Sequence, residues 1–198
     1  RSGSAAGTFY AFQTLTQIVR ETSFQARSTA GKRSGKSKKS PRSAATLALP
    51  CLRIQDWPDF SRRGVYHDTA RGKVPTVHTL LQLIDDLGHL KYNEFQLYIE
   101  NNFEFRKHPQ MYDDTTPFTA EDLLLLDAAC KARHIDFVPS LTSLGHFEKI
   151  LCRPAFRHLA EAEPEKFKAI GAPCWVELPW SLCGTDPGSR TLWKDMDD

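Results

Sequence analysis

The fold of this chain is decided by residues 64–87, which read GVYHDTARGKVPTVHTLLQLIDDL. We interpret Gly64–Thr69 as a β-strand and the residues that follow it as a turn. Thr76 is a typical helix N-cap residue, and after it valine, leucine and isoleucine recur at the three- and four-residue spacing of one helix face. This stretch therefore predicts one strand followed by one amphipathic helix.

A second unit of the same kind follows. Glu94–Ile99 (EFQLYI) predicts a strand, which a long loop separates from the next helix. Thr119 and Asp122 have the spacing of a capping box, in which each side chain accepts a hydrogen bond from the backbone of the other residue. The second helix is therefore predicted to begin at Thr119 and to extend to about Arg133.

The third unit consists of a strand over Ile135–Ser140 (IDFVPS) and a helical stretch over Phe147–Ala160, which Pro154 interrupts. Strands joined by helical crossovers lie parallel, because each helix returns the chain to the same edge of the sheet. The units predict an α/β fold, either a doubly wound sheet or the first three βα units of a (β/α)8 TIM barrel. No GxGxxG motif follows any strand, which favours the barrel. A whole barrel takes about 250 residues, so the barrel is expected to be incomplete.

Ahead of these units the chain is divided by its charge pattern. Apolar residues at helical spacing predict an amphipathic helix, and they are Phe9, Phe12, Leu15, Ile18 and Val19. Residues 27–42 are rich in serine and glycine and carry basic but no acidic side chains, so we predict a disordered basic insertion over 27–46. Leu47–Ile54 is a short apolar stretch that predicts a strand, and the remainder of 47–58 is a linker into the main domain.

Composition excludes several classes of protein. The net charge is +2, and the chain outside the basic insertion is acidic on balance, which argues against a uniformly basic nucleic-acid binder. No aromatic residue interleaves the basic run, so it offers no base stacking. The apolar runs are too short for a membrane span, and no signal-peptide pattern is present. The cysteines have no CxxC spacing and the histidines no metal-ligand spacing, so we predict no disulfide scaffold, no metal and no cofactor.

Candidate site residues follow from the strand directions, because active sites of parallel α/β units lie beyond the C-terminal ends of the strands. This rule selects nine residues that follow the three strands: Asp68, Arg71, Glu100, Asn101, Asn102, Arg106, Thr142, Ser143 and His146. Such hydrogen-bonding groups are typical of a sugar-binding site, since an arginine can donate two parallel bonds to neighbouring hydroxyl groups.

Each of these residues also has a structural alternative. Arg71 can form an ion pair with Asp68 that holds the end of the strand. Glu100 can cap the next segment or pair with Arg106. His146 can cap the helix that follows it.

Four segments, read in order, carry a resemblance to a known family: GTFYAFQTLTQIV (7–19), LPCLRIQDWPDFSRRGVYHDTAR (49–71), KYNEFQLYIENNFEF (91–105) and IDFVPSLTSLGH (135–146). Together they resemble glycoside hydrolase family 20, the β-N-acetylhexosaminidases and their relatives. The resemblance covers about residues 7–20 and 47–190, with the basic segment as an insertion. The chain would represent the N-terminal part of a divergent member.

The resemblance implies a small α+β domain, whose end is residues 1–26, followed by a (β/α)8 catalytic barrel, of which residues 59–198 are a truncated part. It places Arg71 where the family has the arginine that grips the hydroxyl groups of the terminal sugar. His146 matches the histidine of the family's Gly-His pair. Glu100 or Asn101 falls where the family has an acidic residue.

The resemblance also implies a reaction. Family members remove terminal N-acetylhexosamine with retention, as the 2-acetamido oxygen attacks the anomeric carbon, a glutamic acid protonates the leaving oxygen and the preceding aspartate orients the acetamido group. That adjacent Asp-Glu pair occurs nowhere in this chain. We therefore expect no catalytic residue within these residues, and an N-acetylhexosamine-containing glycan as the partner of an inactive fragment.

Two alternative functions remain open at this point. The chain can be a non-catalytic carbohydrate-binding fragment, or a nucleic-acid-associated protein that uses basic residues 27–42. Extending the chain, assaying hydrolysis and measuring salt-sensitive nucleic-acid binding separate these alternatives. Neither a compartment nor an oligomeric state follows from the sequence.

Overall fold

The computed structural model describes residues 2–31, 49, 51–112, 115–162 and 180–197. Five α-helices and three β-strands lie within these ranges. In chain order they are α1 (Ala5–Gly31), β1 (Gly64–Asp68), α2 (Val77–His89), β2 (Glu94–Ile99), α3 (Ala120–Lys131), β3 (Asp136–Leu141), α4 (Glu148–Leu151) and α5 (Pro187–Asp197). Two short 3₁₀ turns, Pro109–Met111 and Arg157–Leu159, complete the description.

The strands form a parallel sheet in the order β1-β2-β3. The register pairs Gly64 with Glu94 and Glu94 with Asp136, so the strands begin at one edge and end together at the other. The predicted α/β fold with parallel strands is therefore confirmed. The third strand begins and ends one residue later than predicted.

Side-chain caps determine where the two crossover helices begin. The Thr76 hydroxyl accepts a hydrogen bond from the amide of Thr79 at the start of α2. At the start of α3, Thr119 and Asp122 form the predicted capping box, in which each side chain accepts from the other residue's amide. These caps satisfy amides that a helix leaves unpaired, and they set the lengths of the loops that follow β1 and β2.

One face of the sheet packs against α2 and α3. The buried residues of this core are Leu80, Ile84, Leu87, Phe95, Leu97, Ile99, Phe118, Leu126, Cys130 and Ile135. Side chains alternate along a strand, so Tyr66, Tyr98 and Val138 belong to the opposite face. On that face Tyr66 and Val138 are 54% and 38% exposed. The helices therefore cover only one side of the sheet.

A second core lies among the segments after β2 and β3. Its buried residues are Phe105, Met111, Phe147, Ile150, Leu151, Phe156, Leu159, Leu182, Leu192 and Met196. The predicted stretch over Phe147–Ala160 is helical only over the single turn of α4 and one 3₁₀ turn, with Pro154 between them. This core holds the segment after β3 against the rest of the domain.

The structure corrects two expectations for the first part of the chain. Helix α1 continues to Gly31, so the predicted disordered insertion is helical over residues 27–31, and 32–46 lie outside the described residues. A nucleated helix gains one hydrogen bond for each residue added, which favours its continuation past the last apolar side chain.

The second correction concerns the strand predicted over Leu47–Ile54. At the positions described there, Leu49 and residues 51–54, the backbone is neither helix nor strand. Leu52 and Ile54 are more than half exposed. A strand is held by hydrogen bonds to a neighbouring strand, and none of the described strands pairs with this segment.

The helices of the described segments are all too short or too polar to cross a lipid bilayer.

Candidate functional site

The loops after β1, β2 and β3 meet at the C-terminal edge of the sheet, and Arg71 lies at their meeting point. One terminal nitrogen of Arg71, Nη2, lies 3.5 Å from Glu100 Oε1 and 3.2 Å from His146 Nδ1. Parallel strands end at the same edge, so residues far apart in sequence come together there. The structure thus brings together Arg71, Glu100 and His146, which the sequence analysis selected from the ends of three different strands.

The Arg71 guanidinium group is held from several sides, while the side chain as a whole remains 53% exposed. Its Nη1 donates to Asp68 Oδ2 at 2.6 Å, and its central carbon lies 5.6 Å from the centre of the Tyr98 ring. The Arg71–Asp68 ion pair, proposed as a structural alternative, is therefore present alongside the contacts to Glu100 and His146. The guanidinium is oriented and still open to a ligand.

The contacts around Arg71 also affect the pKa of Asp68. Burial raises the pKa of its carboxyl group, but hydrogen bonds from the Ala70 amide and from Arg71 lower it by more. The net result is a pKa below the ordinary aspartate value. Asp68 is therefore a carboxylate at neutral pH and a stable partner for Arg71.

Glu100 is the buried centre of the cluster, with 2% of its side chain exposed. The Tyr98 hydroxyl donates to its Oε1 at 3.1 Å, and the Lys149 ammonium group lies 3.3 Å from its Oε2. Burial first, and then the negative charge of Glu100, raise the pKa of Tyr98 to about 12. Within the described residues no ion pair joins Glu100 to Arg106, so that structural alternative is wrong.

His146 approaches Arg71 from the segment after β3. Its φ angle of 59° lies in the left-handed region, which turns the backbone just before α4. Because a guanidinium group only donates hydrogen bonds, the His146 Nδ1 that faces it accepts, and the ring proton belongs on Nε2. The N-cap of α4 is Phe147, without a side-chain cap, so the alternative in which His146 caps this helix is wrong. The ring also lies 5.3 Å from the ring of Trp180.

Asn101 and Asn102, which follow Glu100, are both buried but differ in their contacts. Asn102 joins two loops, since its Nδ2 donates to Thr69 Oγ1 at 2.8 Å and its Oδ1 accepts from the Glu100 amide at 3.2 Å. None of the hydrogen bonds among the described residues links the Asn101 side chain to Arg71 or Glu100. The acidic position after β2 that contacts Arg71 is therefore Glu100.

Sequence reasoning missed two residues, Lys149 and Glu148, which follow His146 closely in the chain. Besides its contact to Glu100, the Lys149 ammonium group donates to the Ala70 carbonyl oxygen in the loop after β1. Both residues follow the C-terminal end of the third strand, where the rule for parallel strands expects site residues. The sequence analysis interpreted this segment only as a helix and did not include them.

Glu100, His146 and Glu148 each offer one ligand atom, and these atoms lie within 4.8 Å of one another. Such a spacing can bridge a cation. However, Arg71 and Lys149 already place two positive charges against Glu100, and a third would be repelled by both. Glu100 is therefore already paired with two cations and does not need a metal ion to balance its charge.

Comparison with known proteins gives partial matches. No family model matches the chain. A β-hexosaminidase of Akkermansia muciniphila is 28% identical over 116 residues, which are 50% of this chain and 23% of that protein. β-Hexosaminidase subunit A2 of Dictyostelium discoideum is 26% identical over 109 residues, or 51% of this chain and 20% of that protein. The chain thus spans less than a quarter of the length of these relatives.

Solved structures extend the match to nearly the whole chain. A family 20 exo-β-N-acetylglucosaminidase from Vibrio harveyi, solved with N-acetylglucosamine, aligns with 98% of this chain and 30% of its own at a TM-score of 0.70 and 21% identity. A β-N-acetylhexosaminidase from Bacteroides fragilis aligns with all of this chain and 36% of its own at 0.67 and 20% identity. The chain resembles glycoside hydrolase family 20. Because these structures are only 20–21% identical to the chain, they show the fold alone. The β-hexosaminidase relatives match about half of the chain in sequence.

Proposed function

We propose that this chain is the sugar-binding part of a family 20 glycoside hydrolase that removes terminal N-acetylhexosamine from glycans. The observation that carries the proposal is the convergence of three consecutive βα loops on one half-exposed guanidinium group, that of Arg71. By the family resemblance, Arg71 corresponds to the arginine that binds the hydroxyl groups of the terminal sugar. The β-hexosaminidase relatives and the family 20 structural neighbours support the choice of family.

The fold supports a partial (β/α)8 barrel as the setting of this site. In a barrel the strands are parallel, follow one another in order and carry their helices on the outside. The β1-β2-β3 order has this arrangement, with α2 and α3 on one face and the face of Tyr66 and Val138 left exposed. We place residues 59–198 in such a barrel, 47–58 in the linker and 1–26 in the end of a preceding α+β domain.

The cluster offers a saccharide complementary groups in fixed positions. Arg71 can donate to two neighbouring hydroxyl groups at once, while Asp68 and Glu100 keep the guanidinium oriented. His146 presents its Nε2 proton as a further donor. These groups bind and orient the sugar. The proton donor and the acetamido-orienting aspartate of the family are an Asp-Glu pair that this sequence lacks, so we place those catalytic roles outside its 198 residues.

Binding of free N-acetylglucosamine and N-acetylgalactosamine tests the proposal, measured by NMR titration of the purified chain. We expect saturable binding that Arg71→Ala weakens at least about tenfold, because a charge-assisted pair of hydrogen bonds is lost. The matched control is Arg62→Ala, since Arg62 also pairs with a glutamate, Glu94, but at the opposite edge of the sheet. Equal loss in both variants, or no loss in Arg71→Ala, would contradict the proposal.

A second candidate, carbohydrate binding without hydrolysis, is favoured by one observation. The cluster around Arg71 is assembled from this chain alone, whereas the Asp-Glu pair is absent from it. A longer coding sequence distinguishes the two functions. An Asp-Glu pair about 30–40 residues downstream, the span of one βα unit, together with hydrolysis of a chromogenic N-acetylglucosaminide, supports the enzyme. Sugar binding by a longer protein that lacks both supports the binding module.

A further inference from the structure

One carboxylate oxygen at the candidate site has no hydrogen-bond partner in the part of the chain that the structure describes. The side chain of Glu148 is half-buried, and its Oε2 atom is enclosed with no hydrogen-bond partner among the described residues. A buried acceptor without a donor costs free energy, and nearly all buried polar groups in native proteins are paired. An unpaired buried oxygen therefore needs a donor from outside the described residues, which water, an ion or a ligand can supply.

The position of Glu148 connects it to the Arg71 cluster. It begins α4, two residues after His146, and one of its carboxylate oxygens lies within 4.8 Å of ligand atoms on both His146 and Glu100. The backbone here is anchored, because the Phe147 amide donates to the Trp180 carbonyl oxygen at 3.1 Å. Glu148 is therefore held beside the groups to which we assign sugar binding.

The cations of the cluster are engaged by other carboxylates. Arg71 pairs with Asp68 and Glu100. Lys149 pairs with Glu100 and donates to the Ala70 carbonyl oxygen. No ion pair in the described part of the chain reaches Glu148. Its enclosed oxygen thus lacks a donor among the described residues, and a neutral hydroxyl group can satisfy it without adding a charge to the cluster.

We propose that Glu148 is a specificity-determining residue of the saccharide pocket and that its buried oxygen accepts a hydrogen bond from one hydroxyl group of the bound N-acetylhexosamine. This inference rests on the proposed function and adds one residue and one contact to it. Arg71 donates to sugar oxygens, whereas Glu148 requires a sugar O–H group. Together, Arg71 and Glu148 therefore favour a sugar that carries a free hydroxyl group at one ring position over a sugar that carries an ether, or no oxygen, at that position.

Binding of N-acetylglucosamine and its 3-, 4- and 6-deoxy analogues by the intact chain tests this inference. We expect Glu148→Ala to bind N-acetylglucosamine about tenfold more weakly than wild type, the scale of one hydrogen bond to a charged group. One deoxy analogue should lose the same factor with wild type and nothing further with Glu148→Ala, because the same hydrogen bond is missing in both cases. Glu148→Gln preserves the shape and should lose less.

Controls separate the possible failures. Glu121→Ala removes an exposed glutamate from the first turn of α3 and should leave every affinity unchanged. Wild-type affinity in Glu148→Ala and Glu148→Gln, while Arg71→Ala still weakens binding, overturns the inference and leaves the proposed function standing. Absence of sugar binding by the wild-type chain overturns both. Affinity that requires a divalent cation and disappears with a chelator overturns the hydroxyl contact in favour of a metal.

Discussion

The two edges of the sheet carry the same kinds of charged residues but arrange them differently. At the N-terminal edge, Arg62 pairs with Glu94 at 3.0 Å while its own side chain is 81% exposed. At the C-terminal edge, Glu100 is buried and is shared by Arg71, Lys149 and the Tyr98 hydroxyl. The difference lies in burial and in the number of partners of each carboxylate, since the residue types are alike.

The difference in burial changes how much each ion pair contributes to stability. An exposed ion pair contributes about 0–1 kcal/mol, because water competes with it and two long side chains must be ordered. A buried carboxylate must be matched by several donors, and the loss of one member leaves the others unpaired. A chain that buries Glu100 among cations therefore holds a preorganised polar cluster, and we connect that cluster with ligand binding.

The largest expected effect is a difference in stability between variants of Glu100 and Glu94. Glu100→Ala leaves the buried Tyr98 hydroxyl without its acceptor, and Arg71 and Lys149 without a shared anion. We expect it to lower the free energy of unfolding by about 3 kcal/mol. Glu94→Ala should cost less than about 1 kcal/mol. Urea denaturation of the two variants measures both values, and equal losses would remove the distinction between the edges.

An intermediate effect is expected from Tyr98. Its pKa is raised to about 12, by burial first and then by the charge of Glu100. The folded state therefore holds this proton more tightly than the unfolded state, where a tyrosine has a pKa of about 10. The stabilisation is complete below pH 10 and is lost as the pH rises to 12.

Tyr98→Phe tests this contribution by removing the titrating group. The variant should show a shallower decline of unfolding free energy between pH 10 and 12, and its absorbance titration should lack one phenol that ionises near pH 12. At neutral pH we expect it to be about 1.5 kcal/mol less stable, because a hydrogen bond to a charged acceptor is lost. An unchanged alkaline profile would show that folding does not raise the pKa of Tyr98.

The smallest effect is expected from Asp68, whose pair with Arg71 is partly exposed. The pKa of Asp68 is lowered, as hydrogen bonds from Ala70 and Arg71 outweigh burial. Its stabilisation is therefore present above the unfolded value of about 4 and is lost as the pH falls through the lower folded value. Asp68→Asn should cost less than about 1 kcal/mol at pH 7 and should weaken the acid dependence. A loss as large as that of Glu100→Ala would place Asp68 among the buried members of the cluster.

Local patterns predicted the elements that depend on neighbours in sequence. The capping box of Thr119 and Asp122 and the bounds of β2 agree with the structure, because both depend on interactions within a few residues. The prediction of a strand over Leu47–Ile54 is wrong because a strand depends on residues that are distant in sequence. Its apolar residues satisfy a strand pattern, but a strand also needs a hydrogen-bonded neighbour, and sequence alone does not supply one.

The sequence by itself determined that three parallel strands would end at one edge and that Arg71, Glu100 and His146 would follow them, since strand and helix periods are local properties. Only the tertiary structure decided which polar residues touch. It placed Glu100 rather than Asn101 against Arg71, and it brought Lys149 and Glu148 into the cluster. These contacts join segments as far apart as 79 residues, from Ala70 to Lys149. Their geometry depends on how the loops pack over the end of the sheet, which no local repeat encodes.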